Sequence, residues 1–574
     1  MTTVSFQGVS SGLQTDALVS AIIAQDSAGM ERLQARETTN TNRRSALSTL
    51  SSDLSALTLS MAKVYDGINA RTVSSTDADN TYVTAAATGA SDGSYAVSVS
   101  SVATKGQLSP TTSGTGSSLT ATNLAVSDPN AAILTSSAGT FAVQGTDGVV
   151  KTFTLATNSL YGLRDAINAS GAGVTATVVN SGSGDNPYQL VVTANETGTG
   201  KTSGVVSLAA IANESDGSAT TVVDSLGISS GTITGTYSSP TALTGGLSST
   251  SGHGMATDAV FTVNGVQLTR TSNTVKDAVD GVTFTIKKAS TDNSTTLTVA
   301  QDTATATSAM QDLITKYNAL MTYYKQQTAV TKDSSGNITS GVLANDSTAR
   351  SVINQVRSAL NGTATGISSS AAYKTIGSIG ITTGTSGTLT LDTTKFKEAL
   401  ENDATGVKNL FAFSGTTTNG TVTFKSASSA TATGSMDFNL TYGTGGAVTG
   451  SLTYGGTTYD VTGSNGTVTG ASGTPLEGLV LTVTGSGSGT MNLSRGVGQQ
   501  LQDLVLSVTS VDGTIEKTRD LLEQQNKDLA TRIDSLQTLL DKEETRLKKQ
   551  FDEMESIISE LKSNSGALSA ITSS

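Results

Sequence analysis

The sequence predicts an α+β multidomain protein, with antiparallel β head domains on a helical, coiled-coil-like leg built from both termini and a middle segment. Apolar residues near both termini and in the middle recur at alternating spacings of three and four, the period of helices that pack along other helices. Between these segments the period falls to two. Short runs then alternate apolar residues with Ser or Thr and end at Gly, Asn or Asp, which is typical of antiparallel strands.

The longest apolar row, which we call a seam, lies at the C-terminal end between Leu501 and Leu561. One helix of about sixty residues would extend about 90 Å, too far for a single globular core to cover, so we expect a leg packed on other helices. The alternative is one or two ordinary core helices broken near Asp512 and Gly513. The central part of this seam comprises Leu529, Ile533, Leu536 and Leu540.

Two further seams offer partners within the chain. One runs from Leu47 to Ile68, after a short amphipathic helix and a polar break between Thr38 and Asn42; the other runs from Ala306 to Tyr324. Pairing of the terminal seams would bury both, at roughly 0.8 kcal/mol per methylene. Pairing of each seam with another subunit is the alternative. The expected leg contacts set Leu50, Leu54, Leu57 and Met61 against Leu529, Ile533, Leu536 and Leu540, with Leu313 and Tyr317 in the third seam.

The β-patterned regions are interrupted by few helices. A helix is predicted from Leu160 to Ala169, and an amphipathic helix after Asp346. We divide the chain into a flexible N-terminal segment (1–40), a leg helix (41–70), the first part of a β head domain (71–125), an inserted β-rich head domain with one helix (126–254), the second part of the β head (255–300), a helical leg region (301–413), a β-rich insertion (414–495), and C-terminal leg helices with a tail (496–574).

Composition excludes several functional classes. The net charge of −12 speaks against nucleic acid or an anionic membrane surface as a partner, because both require a basic face. The absence of cysteine excludes disulfides, thiol catalysis and cysteine-ligated metals. Neither a cationic start before an apolar core nor eighteen consecutive apolar residues occur, so we expect no cleaved Sec signal peptide and no membrane insertion.

Three motifs resemble chemical sites and fail on spacing. Gly198 to Thr202 reads Gly-Thr-Gly-Lys-Thr, but a phosphate-binding loop requires a glycine at position 195, which is Asn, and a following helix. His253 has no second imidazole to share a metal. Asp333 to Asn337 lacks the acidic twelfth ligand of a calcium loop and is explained by a turn. We therefore expect no enzyme, and no catalytic, cofactor-binding or metal-binding residues.

The order of these segments resembles the flagellar filament cap family, also called flagellar hook-associated protein 2. Residues 213–254 and 414–490 depart from its pattern. A short stretch from Leu160 to Ala176 is similar to a motif shared by flagellar hook-associated proteins and flagellins. The resemblance is also carried by Gly8 to Leu18, Ile68 to Arg71, Asp346 to Arg350 and further positions: Gly93, Ser94, Tyr95, Val97, Val99, Phe261, Val263, Asn264, Gly265, Gly281, Val282 and Thr283. Its most specific block is Ile379, Gly380, Ile381, Gly387, Leu389, Leu391, Asp392, Phe396, Leu400, Asp403, Val407, Leu410 and Phe411.

The resemblance implies secretion through the flagellar type III apparatus, an extracellular location at the flagellum tip, and a homo-oligomeric ring that helps flagellin fold and insert. Its implied partners are further copies of the chain, flagellin and the filament end, hook–filament junction proteins before elongation, and an export chaperone. Candidate filament or chaperone contacts are Leu18, Ile22, Met554, Ile557 and Leu561. The alternative function is a secreted β-rich adhesin or surface-layer protein with a helical stalk.

Overall fold

The computed structural model describes residues 14–113, 120–121, 123–134, 139–182, 184–211, 226–236, 238–249, 254–290 and 294–572. The chain divides into two compact units. The helical unit combines the chain before residue 69 with the chain after residue 302, and the β unit is Asn69–Asp302. The predicted α+β class, with antiparallel β domains and a helical leg, is confirmed. The finer division into eight segments stays a prediction.

The helical unit contains all the long helices of the described chain, and α2 belongs to the β unit. The helices are α1 (Thr15–Asn69), α2 (Leu160–Ala169), α3 (Thr303–Thr328), α4 (Ser347–Asn361), α5 (Thr393–Phe411), α6 (Val497–Thr509) and α7 (Thr514–Thr572), with 3-10 turns at Ile376–Ile379 and Thr444–Gly446. One apolar core joins the C-terminal half of α1 to α3, α4, α5, α6 and the first turns of α7. The largest fully buried side chain of this core is that of Tyr317.

Helix α1 is continuous, so the predicted break between Thr38 and Asn42 is wrong. The hydroxyl of Thr39 donates to the carbonyl of Ala35 at 2.8 Å, which keeps this polar side chain within the helix. Asn40 reaches across to Gln525 of α7. A polar run therefore marks a helix contact here and not a helix end.

The C-terminal seam is divided between α6 and α7, and the prediction of one helix from Leu501 is wrong. The break falls at 510–513, where the alternative placed it. The amide of Gly513 donates to the carbonyl of Ser510 at 2.7 Å. A Cβ at Gly513 would lie 2.5 Å from the carbonyl oxygen of Val508, so this turn requires glycine. The remaining helix, α7, has 59 residues and extends about 90 Å.

The described part of the β unit contains two large apolar cores and one small apolar cluster. A five-stranded sheet (β1-β20-β3-β16-β17) and a three-stranded sheet (β18-β19-β2) enclose the first, and sheets β14-β13-β12-β8-β9 and β10-β11-β4 pack with α2 around the second. The strands are β1 (Arg71–Ser75), β2 (Val83–Ala87), β3 (Gly93–Ser101), β4 (Lys105–Leu108), β5 (Thr112–Ser113), β6 (Thr120–Ala121), β7 (Ala125–Val126), β8 (Thr140–Gln144), β9 (Val150–Thr154), β10 (Val174–Asn180), β11 (Tyr188–Thr197), β12 (Ser207–Ile211), β13 (Ser230–Thr236), β14 (Ser239–Gly245), β15 (Leu247–Ser248), β16 (Ala259–Val263), β17 (Val266–Arg270), β18 (Thr274–Val279), β19 (Val282–Ile286) and β20 (Thr295–Gln301).

The β-rich insertion between α5 and α6 forms an eight-stranded antiparallel sheet, in the order β25-β32-β27-β28-β29-β30-β31-β26, around its own apolar core. Two hairpins, β21–β22 and β23–β24, lie among the helices. These strands are β21 (Val330–Lys332), β22 (Ile338–Ser340), β23 (Ile381–Thr383), β24 (Leu389–Leu391), β25 (Phe413–Thr417), β26 (Val422–Ser426), β27 (Gly434–Tyr442), β28 (Val448–Tyr454), β29 (Thr457–Ser464), β30 (Thr467–Thr469), β31 (Val480–Val483) and β32 (Gly487–Arg495).

Candidate binding surface of the helical leg

The N-terminal half of α1 and most of α7 form an antiparallel pair, which we call the lower leg. Arg44 Nη2 lies 2.6 Å from Glu523 Oε2, and Asn526 Nδ2 donates to Thr41 Oγ1 at 2.9 Å. Further along, Met30 and Leu536 line the same groove. As the residue number rises in α7 it falls in α1, so the two chain ends run side by side in opposite directions.

This register contradicts the predicted pairing of Leu50, Leu54, Leu57 and Met61 with the α7 seam. Leu529 shares a groove with Asn40, ten residues before Leu50, a separation of about 15 Å along the helix. The four α1 residues instead lie in the core shared with α3 and α6. A seven-residue repeat defines which face of a helix is apolar, but it does not define the axial register between that helix and its partner. For this reason the sequence predicted the wrong residues of α1 as partners of the α7 seam.

Burial falls steeply from the helical core to the lower leg. Leu313 and Tyr317 of α3 are buried, as are the four α1 leucine and methionine positions named above. The predicted α7 seam is only half-buried: Leu529, Ile533, Leu536 and Leu540. The two helices leave these four side chains partly accessible to water, whereas Val19, nearer the start of α1, is buried. The lower leg therefore has a partly exposed apolar face. In the upper leg, by which we mean the core shared by the C-terminal half of α1 with α3 to α6, the apolar side chains are buried.

A polar layer separates these two parts of the leg. It comprises Arg44 and Thr41 of α1 with Glu523 and Asn526 of α7. Hydrogen bonding from Lys527, its charge and then that of Arg44 lower the pKa of Glu523, which stays ionised. Asn526 Oδ1 and Arg44 Nε are buried without a hydrogen-bond partner among the described residues. Unpaired buried polar atoms destabilise packing, so the layer is a weak point in the leg.

The predicted contact residues lie toward the far end of the lower leg. Met554 is half-buried, and the other four are exposed: Leu18, Ile22, Ile557 and Leu561. Leu561 has 67% of its surface accessible. Whether these residues touch a partner stays a prediction.

The phosphate-loop-like motif is a turn whose backbone amides are hydrogen-bonded to other residues of the β unit. Lys201 N donates to Thr146 O at 2.8 Å, and Thr199 N donates to Asp258 Oδ1 at 2.6 Å. The next regular element is strand β12, not a helix. Backbone amides that are already bonded in this way cannot wrap a phosphate, so the turn interpretation of this motif is supported.

The calcium-loop-like motif is the turn of the β21–β22 hairpin. Asp333 accepts hydrogen bonds from the Asn337 side chain and from the backbone amides of Ser335 and Asn337, which lower its pKa. His253 lies outside the described residues. Within the described ranges, no group of three or more His, Asp or Glu residues stands close enough to hold a metal ion, and no helix is long and apolar enough to cross a membrane.

Sequence reasoning missed the ion pairs that fasten the leg. Arg43 pairs with Asp346 at 2.8 Å, where the carboxylate is 1% exposed, and Arg44 pairs with Glu523. Consecutive arginines beside a seam were the available signal, since such positions often carry interhelical pairs. Their partners lie hundreds of residues away, so only the fold could identify them.

Comparison with known proteins decides the family. Residues 256–563, more than half of the chain, match the model described as flagellar hook-associated protein 2 C-terminus, and residues 11–106 match that of its N-terminus. The chain belongs to the flagellar hook-associated protein 2 family. Residues 140–196 match the flagellin hook IN motif, which confirms the short motif expected between Leu160 and Ala176.

Flagellar hook-associated protein 2 relatives cover most of the chain. The protein of Escherichia coli K12 is 31% identical over 427 residues, which is 72% of this chain and 81% of the relative. The B-type protein of Pseudomonas aeruginosa PAO1 is 29% identical over 411 residues, 70% of this chain and 79% of the relative. The solved D1-D2-D3 domains of the flagellar cap protein FliD from Escherichia coli are 29% identical and cover 64% of this chain and 89% of that chain, with a TM-score of 0.48. The assignment rests on the sequence matches.

Proposed function

We propose that this chain caps the distal end of the bacterial flagellar filament as a homo-oligomeric ring and promotes the folding and insertion of flagellin subunits. The observation that carries the proposal is membership of the flagellar hook-associated protein 2 family, whose solved members are described as flagellar cap proteins. This match favours a cap over the alternative of an adhesin or surface-layer protein. The work is assembly and not bond chemistry.

The structure suggests how the leg serves this function. Its upper part is held by a closed core, whereas its lower part is a helix pair with a half-open apolar seam. Half-buried leucines provide weak, repeatable contacts, because each adds only part of the roughly 2 kcal/mol of full burial. A cap must hold the filament end and release it at every added subunit, and weak contacts on a rigid support meet both needs.

The proposed setting follows from the family. The chain is exported by the flagellar type III apparatus and acts outside the cell at the flagellum tip. Its partners are other copies, flagellin and the filament end, the hook–filament junction proteins before elongation, and an export chaperone. The exposed side chains of Leu18, Ile22, Ile557 and Leu561, with half-buried Met554, are the proposed filament or chaperone contacts. A chain without cysteine has no disulfide to reduce before export.

The test is complementation of a deletion strain, with the length of filaments and the amount of flagellin monomer in the medium as readouts. The wild-type gene should restore filaments and stop the leakage. Leu536→Asp should be secreted normally but leave flagellin in the medium, because it places a charge in the half-open seam. Ser535→Asp, on the exposed face of the same turn, is the matched control and should behave as wild type.

Leu54 is less suited to this test, because it is fully buried and an aspartate there would unfold the helical unit. Normal filaments with Leu536→Asp would contradict the proposed role of the seam. A deletion strain that neither leaks flagellin nor loses filaments would contradict the proposed function.

A further inference from the structure

The lower leg carries two neighbouring grooves between α1 and α7. The first, of about 460 Å³, is basic and includes Arg36 and Arg532 above Leu529. The second, of about 300 Å³, is lined by Gly29, Met30 and three leucines, including Leu539, and by the carboxylates of Asp26 and Glu543. We call them the basic groove and the apolar groove.

Both grooves open on the same face of the helix pair. The α7 residues that line them are related by a step of eleven positions, from Asp528 to Leu539 and from Leu529 to Leu540. Eleven residues at 3.6 per turn return to within about 20° of the starting direction and advance about 16 Å. The two grooves therefore form one continuous face, about three helical turns long.

Gly29 is unexplained by the packing of the described chain. Glycine inside a helix destabilises it by about 1 kcal/mol relative to alanine. A Cβ built at Gly29 would meet nothing within 4 Å, so no neighbouring group in the described part of the chain requires glycine there. Its effect is to leave a notch beside Leu539, which is 60% exposed although it is a large apolar side chain.

The basic groove is lined by two arginines and by one carboxylate, that of Asp528. Arg36 and Arg532 line it from opposite helices, and neither forms an ion pair with any described residue. The carboxylate of Asp528 accepts a hydrogen bond from Gln524 instead. Like charges that face one groove repel, so a carboxylate placed between them would be stabilised by both guanidinium groups.

We propose that this face docks a third amphipathic helix, contributed by a partner protein. An apolar side chain of that helix enters the notch at Gly29 beside Leu539. An acidic side chain about three turns away reaches Arg36 and Arg532. The added helix completes the burial of Leu529, Leu536 and Leu540, which the two-helix leg leaves half open.

A second copy of this chain does not fit as the occupant. The exposed amphipathic segment of α7 that could dock carries Ile557, Leu561 and Leu568, and it begins 14 residues beyond Glu543, the last groove residue, or about 21 Å along the leg. Copies related by closed rotational symmetry hold equal residues at equal heights. This step rests on the ring of the proposed function, and it leaves a helix from another protein as the occupant.

The test uses the full-length protein and two synthetic helical peptides labelled with a fluorophore. Both carry leucines at heptad spacing, and the residue eleven positions from the leading leucine is Glu in one and Lys in the other. Fluorescence anisotropy should show that the Glu peptide binds wild type at least tenfold more tightly than the Lys peptide. The double variant Arg36→Glu/Arg532→Glu should reverse this preference.

A second test uses the variant Gly29→Leu, whose side chain fills the notch. Leucine also has a higher helix propensity than glycine, so weaker peptide binding by this variant cannot be explained by loss of helix. It should weaken binding of the Glu peptide at least tenfold. Equal binding of the two peptides to wild type, no binding of either, or unchanged binding to Gly29→Leu would each overturn the proposal. Flagellin leakage in the deletion strain tests the proposed function separately, so either can fail alone.

Discussion

Arg43 of α1 donates through Nη2 to Asp346 Oδ2 at 2.8 Å across 303 positions of sequence. The other carboxylate oxygen of Asp346 accepts from the amide of Ala349 at 2.9 Å and so caps the start of α4. The carboxylate is 1% exposed, and its two oxygens bind two different helices. One buried charge therefore ties the N-terminal helix to the middle of the chain.

Asp346→Ala should lower the free energy of unfolding of the helical unit by about 3 kcal/mol, because it removes a helix cap and leaves Arg43 without its partner. Urea unfolding followed by circular dichroism measures the change. Asp392→Ala removes the exposed cap of α5, which pairs with no arginine of the described chain, and should cost only about 1 kcal/mol. Equal losses in the two variants would show that the ion pair adds nothing.

Asn526→Leu should stabilise the lower leg by about 1 kcal/mol, because it removes a buried acceptor that has no partner in the described part of the chain. The hydroxyl of Thr41, which loses its bond, is exposed and can turn to water. Hydrogen exchange measured by mass spectrometry should show slower exchange over residues 15–40. Gln524→Leu, an exposed neighbour whose side chain bonds to Asp528 within α7, should leave that exchange unchanged, and faster exchange in Asn526→Leu would contradict the prediction.

The contribution of Asp53 to the free energy of unfolding should fall as the pH rises. Burial raises the pKa of Asp53, against a smaller lowering by the charge of Lys316. The folded protein therefore binds the proton more readily than the unfolded chain, and this contribution to stability is lost as the pH rises through the folded pKa. Asp53→Asn should unfold at higher urea than wild type at pH 7, and the difference should disappear at pH 3.

Asp333 serves as a control, because its contribution to the free energy of unfolding should depend on pH in the opposite direction. Its hydrogen bonds from Asn337 lower its pKa, so its contribution is present at neutral pH and is lost as the pH falls through the folded pKa. Asp333→Asn should therefore be less stable than wild type at pH 7, by an amount that shrinks on acidification. The same direction of change in both variants would show that local burial and hydrogen bonding do not set these two pKa values.

Arg495→Lys should weaken the attachment of the β-rich insertion to the helices, and lower the free energy of unfolding by about 2 kcal/mol. The guanidinium of Arg495 lies 3.3 Å from Asp503 of α6, donates to Thr431 O at 2.8 Å, and stacks over the ring of Phe413 at 5.4 Å. A lysine ammonium cannot make these planar, divergent contacts. Thermal unfolding and limited proteolysis between α5 and α6 measure the effect.

The control for this substitution is Arg270→Lys, in the exposed pair with Asp277. Exposed pairs contribute at most about 1 kcal/mol, so this change should be nearly silent. Proteolysis that is unchanged in Arg495→Lys would show that the insertion is held by its backbone connections alone.

Local elements were the most predictable part of the fold. Helix α2 has the bounds that the sequence indicated, because it has a clear period and a marked start. The same periodicity misled at α6 and α7, where the seam continues through a turn that Gly513 allows. The periodicity also failed to predict the full length of α1. The polar run in this helix indicated a helix end, but its side chains contact α7.

The sequence by itself determined the α+β class, the faces of the helices, the family resemblance and the grounds for expecting no chemistry, since these depend on period, residue type and motif order. Tertiary structure decided the antiparallel register of α1 and α7, the polar layer at Asn526 and the groove at Gly29. A heptad repeat presents nearly the same apolar face at every step, so several registers would satisfy it. Only the closure of the upper core, which holds Leu50 and Leu54 away from the α7 seam, selects one of them.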